Sequence, residues 1–172
     1  MPHPEKLFET RWLALYRSGR WDYVCRPQAD VCVGILAITP ESEIVLVEQY
    51  RIPVRRRVIE IPAGLVGDEV EYLGESLAET ARRELLEETG YRAEVVTELL
   101  RTPTSAGMTS EFIHLFHATG LSREHAGGGT GGEDITVHQV PLAGLREWLV
   151  QREAEGLVID FKILAALWMA GL

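Results

Sequence analysis

Glu84, Glu87 and Glu88 stand close together near the end of a stretch rich in Ala, Leu, Glu and Arg. On a helix, positions i, i+3 and i+4 share a side, so this spacing gathers three carboxylates over the last turns. Oxygen-rich clusters of that kind suit Mg2+ or Mn2+, because hard cations take carboxylates and carbonyls into octahedral shells. The same charges are also compatible with a solvated face. Like charges at this spacing cost only roughly 0.2–0.5 kcal/mol, and Arg83 could pair with Glu79 or Glu87. A helix C-terminus carries partial negative charge, so acids there call for compensation from elsewhere. The element that must position them is a helix within residues 74–91. Leu77, Ala81 and Leu85 make its apolar stripe, and Gly90 is the residue expected just past its end.

Sequence order separates the two readings. Glu75, seven residues, then Arg83-Glu84-Leu85-Leu86-Glu87-Glu88-Thr89-Gly90-Tyr91 resembles the Nudix hydrolase signature, E-x7-R-E-U-x-E-E-x-G-U with U bulky and apolar. The glycine that the family places six positions before the first glutamate is Glu69 here. Gly64, in Ile61-Pro62-Ala63-Gly64-Leu65, is its counterpart, and residues 67–74 read as a lengthened loop of small energetic cost.

The 172 residues suggest one domain with a sizeable core, and 46% apolar and 25% charged residues match an ordinary soluble globular chain. A net charge of −9 argues against a general nucleic-acid or anionic-membrane binder. It leaves small phosphorylated substrates open, since a bound cation inverts the local sign. Cys25 and Cys32 sit in apolar, strand-like surroundings and are expected as buried thiols. The N-terminal Met1-Pro2-His3-Pro4-Glu5-Lys6 has no apolar signal region, and the apolar run after Gly156 is broken by Asp160 and Lys162. No membrane span is expected and the cytoplasm is the default compartment.

Residues 11–17 and 21–26 form a probable hairpin around Ser18-Gly19. Residues 31–38 read as a central strand, residues 44–50 as its return after a turn, and residues 58–61 as a short strand before the Pro62-Ala63-Gly64 turn. Four arginines crowd residues 51–57. Strands are expected at residues 94–100, 112–118 and 135–140, with a loop at residues 102–111 and helices at residues 142–152 and 160–170. Residues 126–132 hold five glycines in seven positions, and composition alone makes them a bare linker. His114 and His117, three apart on a strand, point to opposite faces and cannot share a metal. Trp12, Trp21, Tyr23 and Phe112 are expected in the core.

The resemblance implies more than the pattern does. It implies an α/β fold, an α/β/α sandwich with a mixed central sheet, preceded by an N-terminal antiparallel strand extension. The implied division is residues 1–30, a strand extension that could serve a homodimer, and a Nudix domain over residues 31–172. Gln49-Tyr50-Arg51, Glu60-Ile61-Pro62-Ala63-Gly64, Gly132-Glu133-Asp134-Ile135 and the helix around Ile159-Asp160-Phe161-Lys162 resemble the ADP-ribose pyrophosphatase branch. Ser105-Ala106-Gly107 departs from that branch's usual Ser-Pro-Gly, and Gly131 replaces an acid found in some members. Carried over residue by residue, Glu84, Glu87, Glu88 and the Ala63 carbonyl are implied ligands of Mg2+, with Mn2+ as a substitute. Arg83 and Glu75 support them beside Gly64. Glu133 is a late metal ligand or general base, and Arg51 and Gln49 contact substrate. Trp12 or Tyr23 are outside candidates for holding a nucleobase across a homodimer. The implied activity is hydrolysis of a nucleoside diphosphate sugar, ADP-ribose to AMP and ribose 5-phosphate. GDP-mannose or another nucleotide sugar is the alternative within the class, and a non-catalytic ligand-binding regulator the alternative outside it.

Overall fold

The apolar run at residues 31–38 becomes the middle strand of the molecule. The computed structural model, which describes residues 3–67, 72, 74–130 and 132–172, places it as β4 (Val31–Ile38), after three N-terminal strands. Its side chains alternate across the sheet, as a period of two requires. Val33, Ile35 and Ala37 enter one buried cluster and Leu36 the other. β5 (Glu43–Arg51) returns antiparallel, and β6 (Arg56–Glu60) pairs antiparallel with β5. The segment expected as a turn, β7 (Ala63–Leu65), is a short strand antiparallel to β4 at Cys32, Val33 and Gly34. β4 meets β5 only at Ala37 and Ile38. The sheet therefore opens between β7 and β5.

β8 (Tyr91–Pro103) and β9 (Phe112–Arg123) run longer at both or one end than their apolar patterns suggest, because the ladder between them continues past the buried positions. β10 (Thr136–Pro141) pairs with β5, and the two-residue β11 (Val158–Ile159) pairs parallel with β6. The eight-stranded sheet has the order β11-β6-β5-β4-β9-β8, with β10 and β7 attached to β5 and β4. β4 and β9 are parallel, so the sheet is mixed.

Helix α1 (Leu77–Thr89) buries Ala81 and Leu85 against one face. Ser76 starts it through a capping box: its Oγ accepts from the Glu79 amide at 3.3 Å, and the Glu79 carboxylate accepts from the Ser76 amide at 2.9 Å. After a 3-10 turn (Leu142–Gly144), α2 (Leu145–Ala154) and α3 (Lys162–Ala170) cover the other face with Leu145, Leu149, Ile163 and Ala166. The result is an α/β/α sandwich, as the resemblance implied. Among the described residues no helix is long and apolar enough to cross a membrane.

Four expectations need correction. The N-terminal hairpin exists as β2 (Ala14–Ser18) and β3 (Trp21–Cys25), but an unforeseen β1 (Glu5–Glu9), exposed along its whole length, completes a separate three-stranded sheet. Trp12 and Trp21 are 61% and 57% exposed, because that small sheet gives their indoles no core to enter. Tyr23 is half-buried on Tyr16, and Phe112 half-buried beneath Arg101. Cys25 and Cys32 are free but only half-buried. The glycine-rich run is no bare linker: the Gly128 and Gly129 amides donate to the Glu88 and Glu87 carbonyls at 2.8 and 3.1 Å. The acids' helix end thus receives compensation from a distant part of the chain. Glu69, Gly131 and most of the lengthened loop at residues 67–74 lie outside the described residues.

Candidate active site

α1 delivers its acids to the opening between β5 and β7. A cavity of about 480 Å3 there is lined by Gln49, Arg51, Glu60, Ala63, Gly64, Glu84, Glu88 and Glu133. Arg26, Cys32, Thr104, Glu111 and Lys162 complete much of its wall. A larger apolar groove of about 880 Å3 lies among Leu145, Leu149, Phe161 and Leu164. Its one acid is Glu153 and it holds none of the acids of α1, so the smaller cavity is the candidate site.

Glu88 is the anchor of the cluster. The residue is 5% exposed and its carboxylate accepts from the Ala63 amide at 3.1 Å. Burial, joined by nearby Glu84 and Glu133 and opposed by the amide, pushes it up to about 8. Glu84 lies directly over Gly64. A β-carbon on Gly64 would stand 2.0 Å from the Glu84 carboxyl carbon, so no larger residue admits this approach. β7 holds Gly64 in place by pairing it with Val33.

Arg83 grips the cluster from behind. Its Nη1 stands 3.0 Å from Glu84 and 3.1 Å from Glu87, and its Nε donates to Glu75 at 3.3 Å. Tyr72 lies against the guanidinium, with the Arg83 carbon 3.9 Å from the ring centre. Glu75 also accepts from the Thr80 hydroxyl at 3.1 Å, which fixes it at the start of the helix. The i, i+3, i+4 reading is thereby split. Glu84 and Glu88 line the cavity, whereas Glu87 is turned toward Arg83 and does not. Among the described residues, no three acidic, His or Cys side chains stand ready around one metal position. The donors present still fit a hard divalent cation: they are all oxygens, and Glu88 is a buried acid beside two others. A cation there would lift the penalty on ionising Glu88.

Across the cavity, the Arg51 Nε donates to Glu60 at 2.6 Å. Glu60 is buried, while Arg51 keeps much of its guanidinium exposed to the cavity. Glu133 accepts from the Thr130 amide at 3.0 Å and lies near enough to Glu88 to raise it. Asp134 points away, to the Arg57 guanidinium at 2.7 Å. His114 pairs with Glu98 at 2.7 Å, and His117 is half-buried, with burial lowering its imidazole. Neither histidine lines the cavity.

Several lining residues went unassigned in the sequence. Glu60 and Lys162 sit inside quoted branch motifs, yet no spacing marks their direction. Arg26 and Glu111 pair at 2.7 Å from positions far apart in the chain, a contact with no local signal. Burial near Glu111 pushes the adjoining Cys32 thiol up to about 12, so it is inert.

The NUDIX domain family model matches residues 29–157. This chain belongs to the Nudix family. It is 45% identical over 121 residues to a methanol dehydrogenase activator of Bacillus methanolicus, covering 70% of this chain and 63% of that protein. It is 37% identical over 129 residues to an ADP-ribose pyrophosphatase of Bacillus subtilis, covering 69% and 64%. A GDP-mannose pyrophosphatase of Cronobacter sakazakii is 30% identical over 135 residues, with 74% and 65% covered. The matched part is thus a little under two thirds of each of these relatives. An ADP compounds hydrolase aligns in three dimensions with a TM-score of 0.74 at 22% identity, covering 98% of this Nudix chain and 89% of the other. That likeness speaks for the fold.

Proposed function

We propose that this Nudix protein hydrolyses the diphosphate bond of a nucleoside diphosphate sugar, with ADP-ribose converted to AMP and ribose 5-phosphate. The observation that carries the reading is one cavity lined by Glu84 against Gly64, Glu88 bonded to the Ala63 amide, Arg51 and Glu133. Glu84 and Glu88, with Glu87 and the Ala63 carbonyl assisting, would hold a divalent cation, Mg2+ or Mn2+, which would neutralise diphosphate charge and acidify a bound water. Arg51, held at its Nε by Glu60, offers its remaining N–H groups to a phosphate oxygen. Gln49 lies beside it as a polar contact for the sugar or phosphate. Glu133 takes the proton of the attacking water, one P–O bond forms, and the bridging P–O bond breaks to leave two monophosphates.

The names of two relatives, an ADP-ribose and a GDP-mannose pyrophosphatase, support this substrate class and keep GDP-mannose as the alternative within it. A second reading is a regulator that binds such a ligand without turnover, favoured by the relative named as an activator of another enzyme. A turnover screen with Mg2+ across ADP-ribose, GDP-mannose, dinucleotides and nucleoside triphosphates separates them. ADP-ribose should show the highest kcat/KM. Preference for triphosphates, or binding without product, sinks the reading. Glu84→Gln and Glu88→Gln should each lower kcat by about two or more orders of magnitude while the fold survives.

A homodimer built through residues 1–30 belongs to the same proposal. Leu7, Phe8, Trp12 and Trp21 are exposed on or beside the small N-terminal sheet, apolar surface suited to association. Sedimentation equilibrium returning a monomer at micromolar concentration would remove it.

A further inference from the structure

Residues 127–129 lie where α1 ends, and they do two things at once. Their main chain satisfies the last carbonyls of the helix: Gly128 N–H donates to Glu88 and Gly129 N–H to Glu87, at 2.8 and 3.1 Å. Their absent side chains leave room for what surrounds them. At Gly127, whose φ is +75°, a β-carbon would stand 2.5 Å from the Thr89 carbonyl carbon and 2.6 Å from the Glu88 oxygen. At Gly129, with φ of +79°, it would stand 2.3 Å from the Glu133 carboxylate oxygen. Both contacts are far inside van der Waals distance, and both conformations disfavour side chains. The same short segment therefore touches the helix bearing Glu84 and Glu88 on one side and Glu133 on the other. The Glu124 amide, donating to the Gly90 carbonyl at 2.8 Å, fastens the segment's leading end to the same helix terminus.

We propose that Gly127 and Gly129 are positioning residues for hydrolysis, in which the glycine run, clamped on the end of α1, sets where the Glu133 carboxylate stands relative to Glu84 and Glu88. The inference rests on the proposed hydrolase reading and deepens it. Gly129, against which the Glu133 carboxylate lies, is held with Gly128 to the metal-site helix by two main-chain hydrogen bonds. A tether by composition becomes a gauge by geometry. The two amides also offset the partial negative charge of the helix end at the place where its acids concentrate.

Two measurements test this. The first is amide hydrogen exchange by NMR on the metal-free wild-type protein, which reads the clamp without any substrate. Gly128 and Gly129 should exchange at least about a hundredfold slower than unstructured glycines, since both amides are bonded to helix carbonyls. Exchange at the unstructured rate overturns the proposal, whatever the activity. The second is steady-state kinetics of Gly127→Ala and Gly129→Ala, alone and combined with Glu133→Gln. Each alone should lower kcat by about tenfold or more with KM changed less than about threefold, and should cost little further in the Glu133→Gln background. Full additivity with Glu133→Gln, or unchanged kcat, overturns it, because the glycines would then act on stability alone. If Gly127→Ala fails to fold, Gly129→Ala decides, as its β-carbon meets a movable side chain. Wild-type protein that turns over no nucleotide sugar defeats the hydrolase reading instead, and protected amides would still record the clamp.

Discussion

Glu88→Gln should stabilise the metal-free protein at neutral and mildly alkaline pH while abolishing turnover. An unfolded chain releases this proton near the ordinary value of 4.5, whereas the folded chain holds it to about 8. Between those values the folded state binds the extra proton, so stability falls as pH rises. At 1.36 kcal/mol per pH step, the accumulated cost reaches about 3 kcal/mol by pH 7, an upper figure because the buried site can relax. Glutamine keeps an oxygen to accept from the Ala63 amide at 3.1 Å and carries no charge to bury. The variant should therefore gain roughly 1–3 kcal/mol over wild type at pH 7–8 and almost nothing near pH 4.5. In a chain of this length that is a rise in Tm of roughly 2–10 °C. The assay is urea and thermal denaturation in EDTA at pH 5 and pH 8, for both proteins. Adding Mg2+ at pH 8 should stabilise wild type more than the variant, since only wild type has the anion to offer. Parallel pH dependence of the two proteins would refute the reasoning, for it would mean Glu88 ionises without penalty.

Gly64→Ala should displace Glu84, because the new β-carbon would stand 2.0 Å from its carboxyl carbon on a strand pinned to β4. We expect kcat to fall about 10- to 100-fold with a stability loss of about 1–3 kcal/mol, and kinetics with near-normal kcat would show that the acid has room to spare. Ser76→Ala removes the hydroxyl that accepts from Glu79 at 3.3 Å and should cost about 1 kcal/mol without changing kcat at 25 °C. A Tm equal to wild type would show the cap to be redundant.

Helix α1 was legible because its signals are local. Gly90 stops it at φ +75°, and the stripe of Leu77, Ala81 and Leu85 faces the core. The hidden parts depend on contacts between distant residues. β7 was unreadable as a strand because three residues cannot show a period, and its pairing partner lies thirty residues away in β4. The direction of Glu87 was set by Arg83 rather than by helical spacing. Composition misled at residues 126–132, where glycine signals either freedom or close approach and only the neighbouring helix end decides which. Trp12 and Trp21 misled in the opposite direction, since aromatic alternation marks a face that wants cover without saying that cover exists.

The outer strands of the large sheet bear on behaviour at high concentration. Unpaired edges invite another chain to add a strand. At one edge β11 is only two residues long, and the Asp160 amide, bonded to the Ile59 carbonyl at 3.0 Å, extends its cover of β6. At the other, β8 is thirteen residues long, but its ladder is interrupted between Glu98 and Leu100 and it turns Arg92, Glu94, Glu98 and Arg101 to solvent. Those charges are gatekeepers against stacking of one molecule on the next. Replacing Glu94 and Glu98 with valine would leave the cavity untouched and yet turn this edge into a seed for intermolecular pairing, which light scattering on warming would register.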